Sequence, residues 1–117
     1  MELVALVSKG EGSWAQVAGL IKYSNWDKVF VIGDEFAKAN FKAEKDVEFI
    51  KVDLNQKIKD LRDDISKKLK GKFEGLEVAL TIASGDGKEH MALLSALINL
   101  PVGVRFAALT KEGIIDL

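Results

Sequence analysis

The stretch Leu76–Met91, LEVALTIASGDGKEHM, decides the fold of this chain. Its first half, Leu76 to Ala83, is a largely apolar run rich in β-formers, as a strand buried on both faces requires. Its second half turns sharply through Ser84-Gly85-Asp86-Gly87-Lys88 and opens into a helix beginning near Glu89. Glycine lets backbone N–H groups approach a ligand because no Cβ stands in the way. A helix start adds partial positive charge and unpaired donors, and Lys88 adds a full charge. Asp86 and Glu89 have the D-x-x-E spacing of a capping box. The segment therefore predicts strand, ligand-seating turn and helix in direct succession.

Working outward, the same alternation repeats along the chain. Strands are predicted at Leu3–Val7, Lys28–Ile32, Val47–Val52, Leu76–Ala83 and Val102–Leu109. Helices are predicted at Trp14–Ser24, Glu35–Lys42, Gln56–Lys70 and Glu89–Leu100. Alternating strands and helices build a parallel sheet covered on both faces. A short strand, Ile114–Leu117, returns antiparallel through the turn at Lys111-Glu112-Gly113.

Strand composition orders the sheet. Strands one, two and four are apolar runs apart from Lys28 and Glu77 at their starts, whereas strand three carries Glu48 and Lys51 and strand five carries Arg105. The charged strands belong near the edges, which gives the order 3-2-1-4-5 with the last strand beyond or beside the fifth. A flavodoxin-like order would put the apolar second strand at an edge and fits less well. The expected fold is α/β, a Rossmann-like three-layer sandwich with a C-terminal antiparallel hairpin strand. Residues 1–117 make one domain of ordinary size.

In this order the chain reverses direction between strands one and four, and ligands of open α/β sheets bind beyond the strand ends at such a point. The loops flanking it, Ser8 to Ser13 and Ser84 to Lys88, each carry two glycines. Candidate ligand-binding residues are thus Ser8, Lys9, Gly10, Gly12 and Ser13 from the first loop. Ser84, Gly85, Asp86, Gly87 and Lys88 come from the second, with His90 in the helix turn that follows. Ser13 and Gln16 also have S-x-x-Q capping-box spacing.

Composition narrows the function. The chain is 48% hydrophobic and 30% charged, with formal net charge −1, so general attraction to DNA or to an anionic membrane is not expected. It contains no cysteine, which excludes disulfides, thiol catalysis and zinc–thiolate sites. The low-charge stretch from Met91 to Leu109 is interrupted by Asn99, Pro101, Gly103 and Arg105, which fits a buried helix and strand better than a membrane span. Met1-Glu2 leads straight into a strand without a basic leader, so a cytoplasmic location is the expectation.

Other motifs are weaker. Gly10 to Ala15 matches G-x-G-x-x-A, and Asp34 ends the second strand at the spacing of a ribose-binding acid. The turn is long, however, Trp14 is bulky beside a pyrophosphate, and Asp34 reads more simply as a helix N-cap. Gly87-Lys88 resembles the end of a Walker A loop, but Ile82 replaces its first glycine and Glu89 its Ser or Thr. Ser8-Lys9 lacks the acids of a receiver domain, and Asp53 reads as a cap or turn residue. His90, the single histidine, has no neighbouring ligand set for a metal. The helix Glu89–Leu100 is apolar nearly all round, which calls for a homodimer interface or for burial beneath the C-terminal hairpin.

A first strand ending in a small polar residue and glycine, and a fourth running into S-G-x-x-K and a helix, resembles the CRISPR-associated Rossmann fold (CARF) family. Ser84, Gly85 and Lys88 match that family's motif, with Met91 a further match. Asp86 stands at its second glycine and Gly87 at its threonine or serine. The resemblance implies a homodimer, joined through the Glu89–Leu100 region, that binds a cyclic oligoadenylate across its twofold axis without metal or cofactor. In this antiviral-defence setting the expectation is a stand-alone sensor. A ring nuclease is the alternative, in which Lys88 and the Gly87 and Lys88 amides hold phosphate, Ser8 or Ser13 positions the ribose and His90 is an optional acid. A dinucleotide-binding module and a pure interaction module remain open beside these.

Overall fold

The structure, a computed structural model, describes residues 1–9 and 11–117; Gly10 and the Glu11 side chain lie outside this description. Among the described residues, six strands form a single sheet in the order β3-β2-β1-β4-β5-β6. The strands are β1 (Glu2–Leu6), β2 (Val29–Gly33), β3 (Glu48–Lys51), β4 (Glu77–Thr81), β5 (Gly103–Thr110) and β6 (Gly113–Asp116). All neighbours pair in parallel except β5 and β6, which form an antiparallel hairpin. The order read from strand charge is the one observed, with β6 beyond β5.

The central strands β1 and β2 are buried along their whole length and β4 is buried from Val78 onward, as their largely apolar composition requires. Side chains alternate between two cores. On one face Leu3, Ala5 and Val7 pack with Val17, Leu20 and Ile21 of α1 (Trp14–Lys22) and with Ala37 of α2 (Glu35–Asn40). On the other, Val4, Leu6, Phe30 and Ile32 pack under α3 (Ile58–Leu69) and α4 (Gly87–Ile98). Two layers of helices thus enclose the sheet, and each parallel strand ends at the same edge, where its βα turn begins.

Local signals set the helix starts. Asp34 caps α2 by accepting the Ala37 amide at 2.9 Å, and Asp53 closes a turn by accepting the Asn55 amide at 2.9 Å. Asp86 and Glu89 form the full reciprocal capping box of α4. The Ser13–Gln16 box does not form. A 3₁₀ turn, Glu11–Ser13, runs directly into α1, so Ser13 already has helical angles (φ −78°, ψ −16°) and no side-chain cap bond is made. The N-capping geometry needs an extended residue, and Ser13 is already helical.

Within the chain, the apolar helix α4 finds its cover against α3. It buries Ala92, Leu93, Ala96 and Leu97 in the core shared with Leu61, Ile65 and Leu69 of α3, not beneath the hairpin. Met91 and Ile98 remain 64% and 74% exposed. They are seven residues apart and so share one side of the helix. At the opposite edge of the sheet, Glu2 is buried, and its Oε1 accepts the amides of Glu74 and Gly75 at 3.0 and 3.1 Å. That contact anchors the chain just before β4.

Candidate functional site

Every parallel strand delivers its following turn to one edge, so residues far apart in sequence converge there. The first and fourth βα turns are joined directly. The Ser84 hydroxyl accepts the Ser8 amide at 2.9 Å and donates to the Ser8 carbonyl at 3.3 Å. Ser8 and Ser84 are both buried, and the same Ser8 carbonyl accepts the Trp14 indole N–H at 2.7 Å. One carbonyl therefore ties β1's exit, the start of α1 and the β4 turn into a unit.

A crevice of about 310 Å³ opens beside this junction. Ser8 and Lys9 line it from the first turn, Asp34 and Phe36 from the second, Leu54 and Asn55 from the third, and Glu89 from α4. Trp14 closes one wall, with its ring 6.1 Å from that of Phe36 and 6.0 Å from that of Phe41. Glu89 is almost fully buried; its Oε1 accepts the Asp86 amide at 3.0 Å. At the nearby end of β3, Lys51 lies 2.8 Å from Glu35. The hydrogen bond and then the charge of Lys51 hold the Glu35 carboxyl below its usual range, and the same contact raises Lys51. Lys51 is therefore committed, whereas Lys9 has no ion pair among the described residues.

The residues singled out from sequence divide into three groups. Ser8 and Lys9 face the crevice. Ser84, Gly85, Asp86 and His90 build the turn itself. Gly85 adopts φ +103°, Asp86 caps α4, and His90 Nε2 lies 2.8 Å from the Ser84 carbonyl, which it must meet as a donor. Gly12, Ser13, Gly87 and Lys88 do not line the cavity, and Gly10 lies outside the described residues. Lys88 Nζ donates to the Gln56 carbonyl at 2.7 Å. That partner is neutral, and among the described residues no acid pairs with Lys88, so its charge stays uncompensated.

Sequence reasoning passed over Phe36, Leu54 and Asn55 and read Trp14, Asp34 and Glu89 only as an obstacle and two caps. The usable signal was positional: each lies within a few residues of the end of a parallel strand or opens the helix after it. A larger, mostly apolar cavity of about 450 Å³, bounded by Leu69, Phe73, Leu100 and Val102, sits at the other edge of the sheet and holds none of these residues. Among the described residues no group of three or more metal-ligating side chains comes together, and no helix is long and apolar enough to cross a membrane.

The Ser84 bridge gives the first prediction. Ser84→Ala removes both bonds and strands the buried Ser8 amide, which costs about 1–2 kcal/mol. Urea denaturation should show a lower midpoint with an unchanged slope; an unaltered midpoint would mean the two turns are held together by other contacts. Comparison with protein-family models finds none that matches the chain, and comparison with curated proteins finds no matching sequence.

Proposed function

We propose that this protein is a sensor of a nucleotide-type ligand, and specifically that a cyclic oligoadenylate binds across a homodimer at the junction of the first and fourth βα turns. The observation that carries the reading is the Ser8–Ser84 bridge, which locks those two turns together beside a crevice at the reversal of sheet order. Lys9 and Lys88 supply positive charge, and among the described residues neither makes an ion pair. The first-turn amides of Gly87 and Lys88 add donors suited to phosphate.

A second copy fits the exposed side of α4. Met91 and Ile98 stand out there, and register places Ile115 of β6 opposite Ala108, on the sheet face that α4 covers. An isologous pairing of this surface sets two ligand turns around one axis, matching the symmetry of a cyclic ligand. Binding is favoured over turnover by the commitments of the polar groups: Asp86 caps a helix and His90 Nε2 is engaged by Ser84.

Calorimetry with cyclic tetra-adenylate and cyclic hexa-adenylate tests the ligand, and Lys88→Ala should weaken whichever binds. No heat with either removes the cyclic ligand, and an unchanged affinity in the variant removes Lys88 from the site. Recovery of linear product after incubation would convert sensor into ring nuclease. The dimer has its own test. Ile98→Lys places a charge on the apolar surface and should turn a dimer into a monomer in light scattering; a wild-type monomer would contradict the pairing.

A further inference from the structure

Three polar groups of the crevice are left unspent by the fold, and so is one apolar ring. Asp34 Oδ1 caps α2 and Glu89 Oε1 caps α4, but among the described residues neither Asp34 Oδ2 nor Glu89 Oε2 takes a hydrogen bond. Lys9 has no ion pair there, and Phe36 is 56% exposed at the crevice although its ring adjoins Trp14. A ligand that completes the site must therefore offer hydrogen-bond donors to two carboxylates, a flat apolar face to the aromatic corner and an anion to one lysine.

We propose that the crevice of each protomer holds a single amine-bearing nucleoside monophosphate, with its base on the Trp14–Phe36 corner, its hydroxyl and amine donors on Asp34 and Glu89, and its phosphate on Lys9. This rests on the nucleotide reading above and deepens it: the recognised unit is one nucleotide, complete within one copy of the chain. The volume of about 310 Å³ lies at the low end for ligand cavities, enough for one base and sugar and too small for a dinucleotide. Trp14 is a fixed platform because its indole N–H is held by Ser8. Two carboxylates lining the same space repel a polyphosphate chain, so the site favours one phosphate over three. They also favour a base carrying an exocyclic amine over one carrying only a carbonyl, since a carboxylate accepts and does not donate.

The chain has two tryptophans, and the second, Trp26, donates to Leu20 outside the crevice. The two indole N–H resonances in a nitrogen-correlated proton spectrum thus give an internal control. Titration of the full chain with AMP should move the Trp14 resonance saturably and leave that of Trp26 in place, with IMP and ATP both binding more weakly. Phe36→Ala should weaken AMP about tenfold, the loss of one base–aromatic stack. Asp34→Asn keeps an N-cap of equal quality and should also weaken AMP, which separates binding from folding.

Outcomes separate the two readings. AMP binding as described without heat from either cyclic oligoadenylate keeps this proposal and removes the cyclic ligand. Cyclic oligoadenylate binding that Phe36→Ala leaves unchanged, with a Trp14 resonance unmoved by AMP, overturns this proposal and keeps the sensor. Silence toward all of them overturns both.

Discussion

Gly85→Ala should destabilise the protein by about 3 kcal/mol or more, through a strained backbone and overpacking together. Gly85 has φ +103°, a conformation that an L side chain rarely adopts. A Cβ there would sit 2.5 Å from Leu6 Cδ2, 2.9 Å from Glu89 Oε1 and 3.1 Å from His90 Nε2. None of these can retreat cheaply. Leu6 is fully buried, Glu89 is held by the capping box, and His90 is bonded to Ser84. Gly87 is the matched control, because a Cβ there meets nothing within 4 Å. Urea denaturation should show a large loss for Gly85→Ala and little change for Gly87→Ala. Equal midpoints for the two variants would contradict the packing described for this turn.

Gly33→Ala should cost about 2–3 kcal/mol and should also weaken ligand binding. Gly33 ends β2, where three elements meet. A Cβ would lie 2.8 Å from the Val7 carbonyl, 2.9 Å from Ala37 Cβ and 3.0 Å from Phe49 Cζ. The carbonyl belongs to backbone just past the central strand and cannot move without disturbing the β1–β2 pairing; Val7 itself donates to Ile32 at 2.8 Å. The easier relief is to push α2 outward from Ala37. That shift carries Asp34 and Phe36 with it, because they begin the same short helix. Thermal unfolding measures the first effect and AMP titration the second. A variant with both unchanged would show that α2 and β3 are not closed against β2 as described.

Much of the architecture was legible because it depends on features that repeat along the chain. Strands one, two and four announced their burial by apolar runs with a charge only at their starts (Glu2, Lys28 and Glu77), and Glu48, Lys51 and Arg105 marked the outer strands. Asp34 and Asp86 were readable as caps, since capping acts over three residues. The site was less legible because its contacts join distant residues. The Ser8–Ser84 bond spans 76 positions, and the Lys88–Gln56 bond spans 32. Local pattern alone placed Lys88 at a phosphate seat; its contact with the third βα turn depends on how α4 docks beside α3. The Trp14–Phe36 corner is of the same kind, since two helices on one face of the sheet must pack before those rings meet. Ser13 failed as a cap for a local reason, the 3₁₀ turn that carries its backbone into helical angles before α1 begins.

The claim beneath the functional account is that ligands are received where the βα turns converge, not elsewhere on the surface. Amide hydrogen exchange on the full chain, with and without saturating AMP or cyclic tetra-adenylate, reads this directly. Slowed exchange is expected only at residues 8–14, 34–37, 54–57 and 84–90, with the far edge of the sheet unaffected. Protection centred instead on the cavity around Phe73 and Leu100, or a bound state with no protection at the turns, would contradict it.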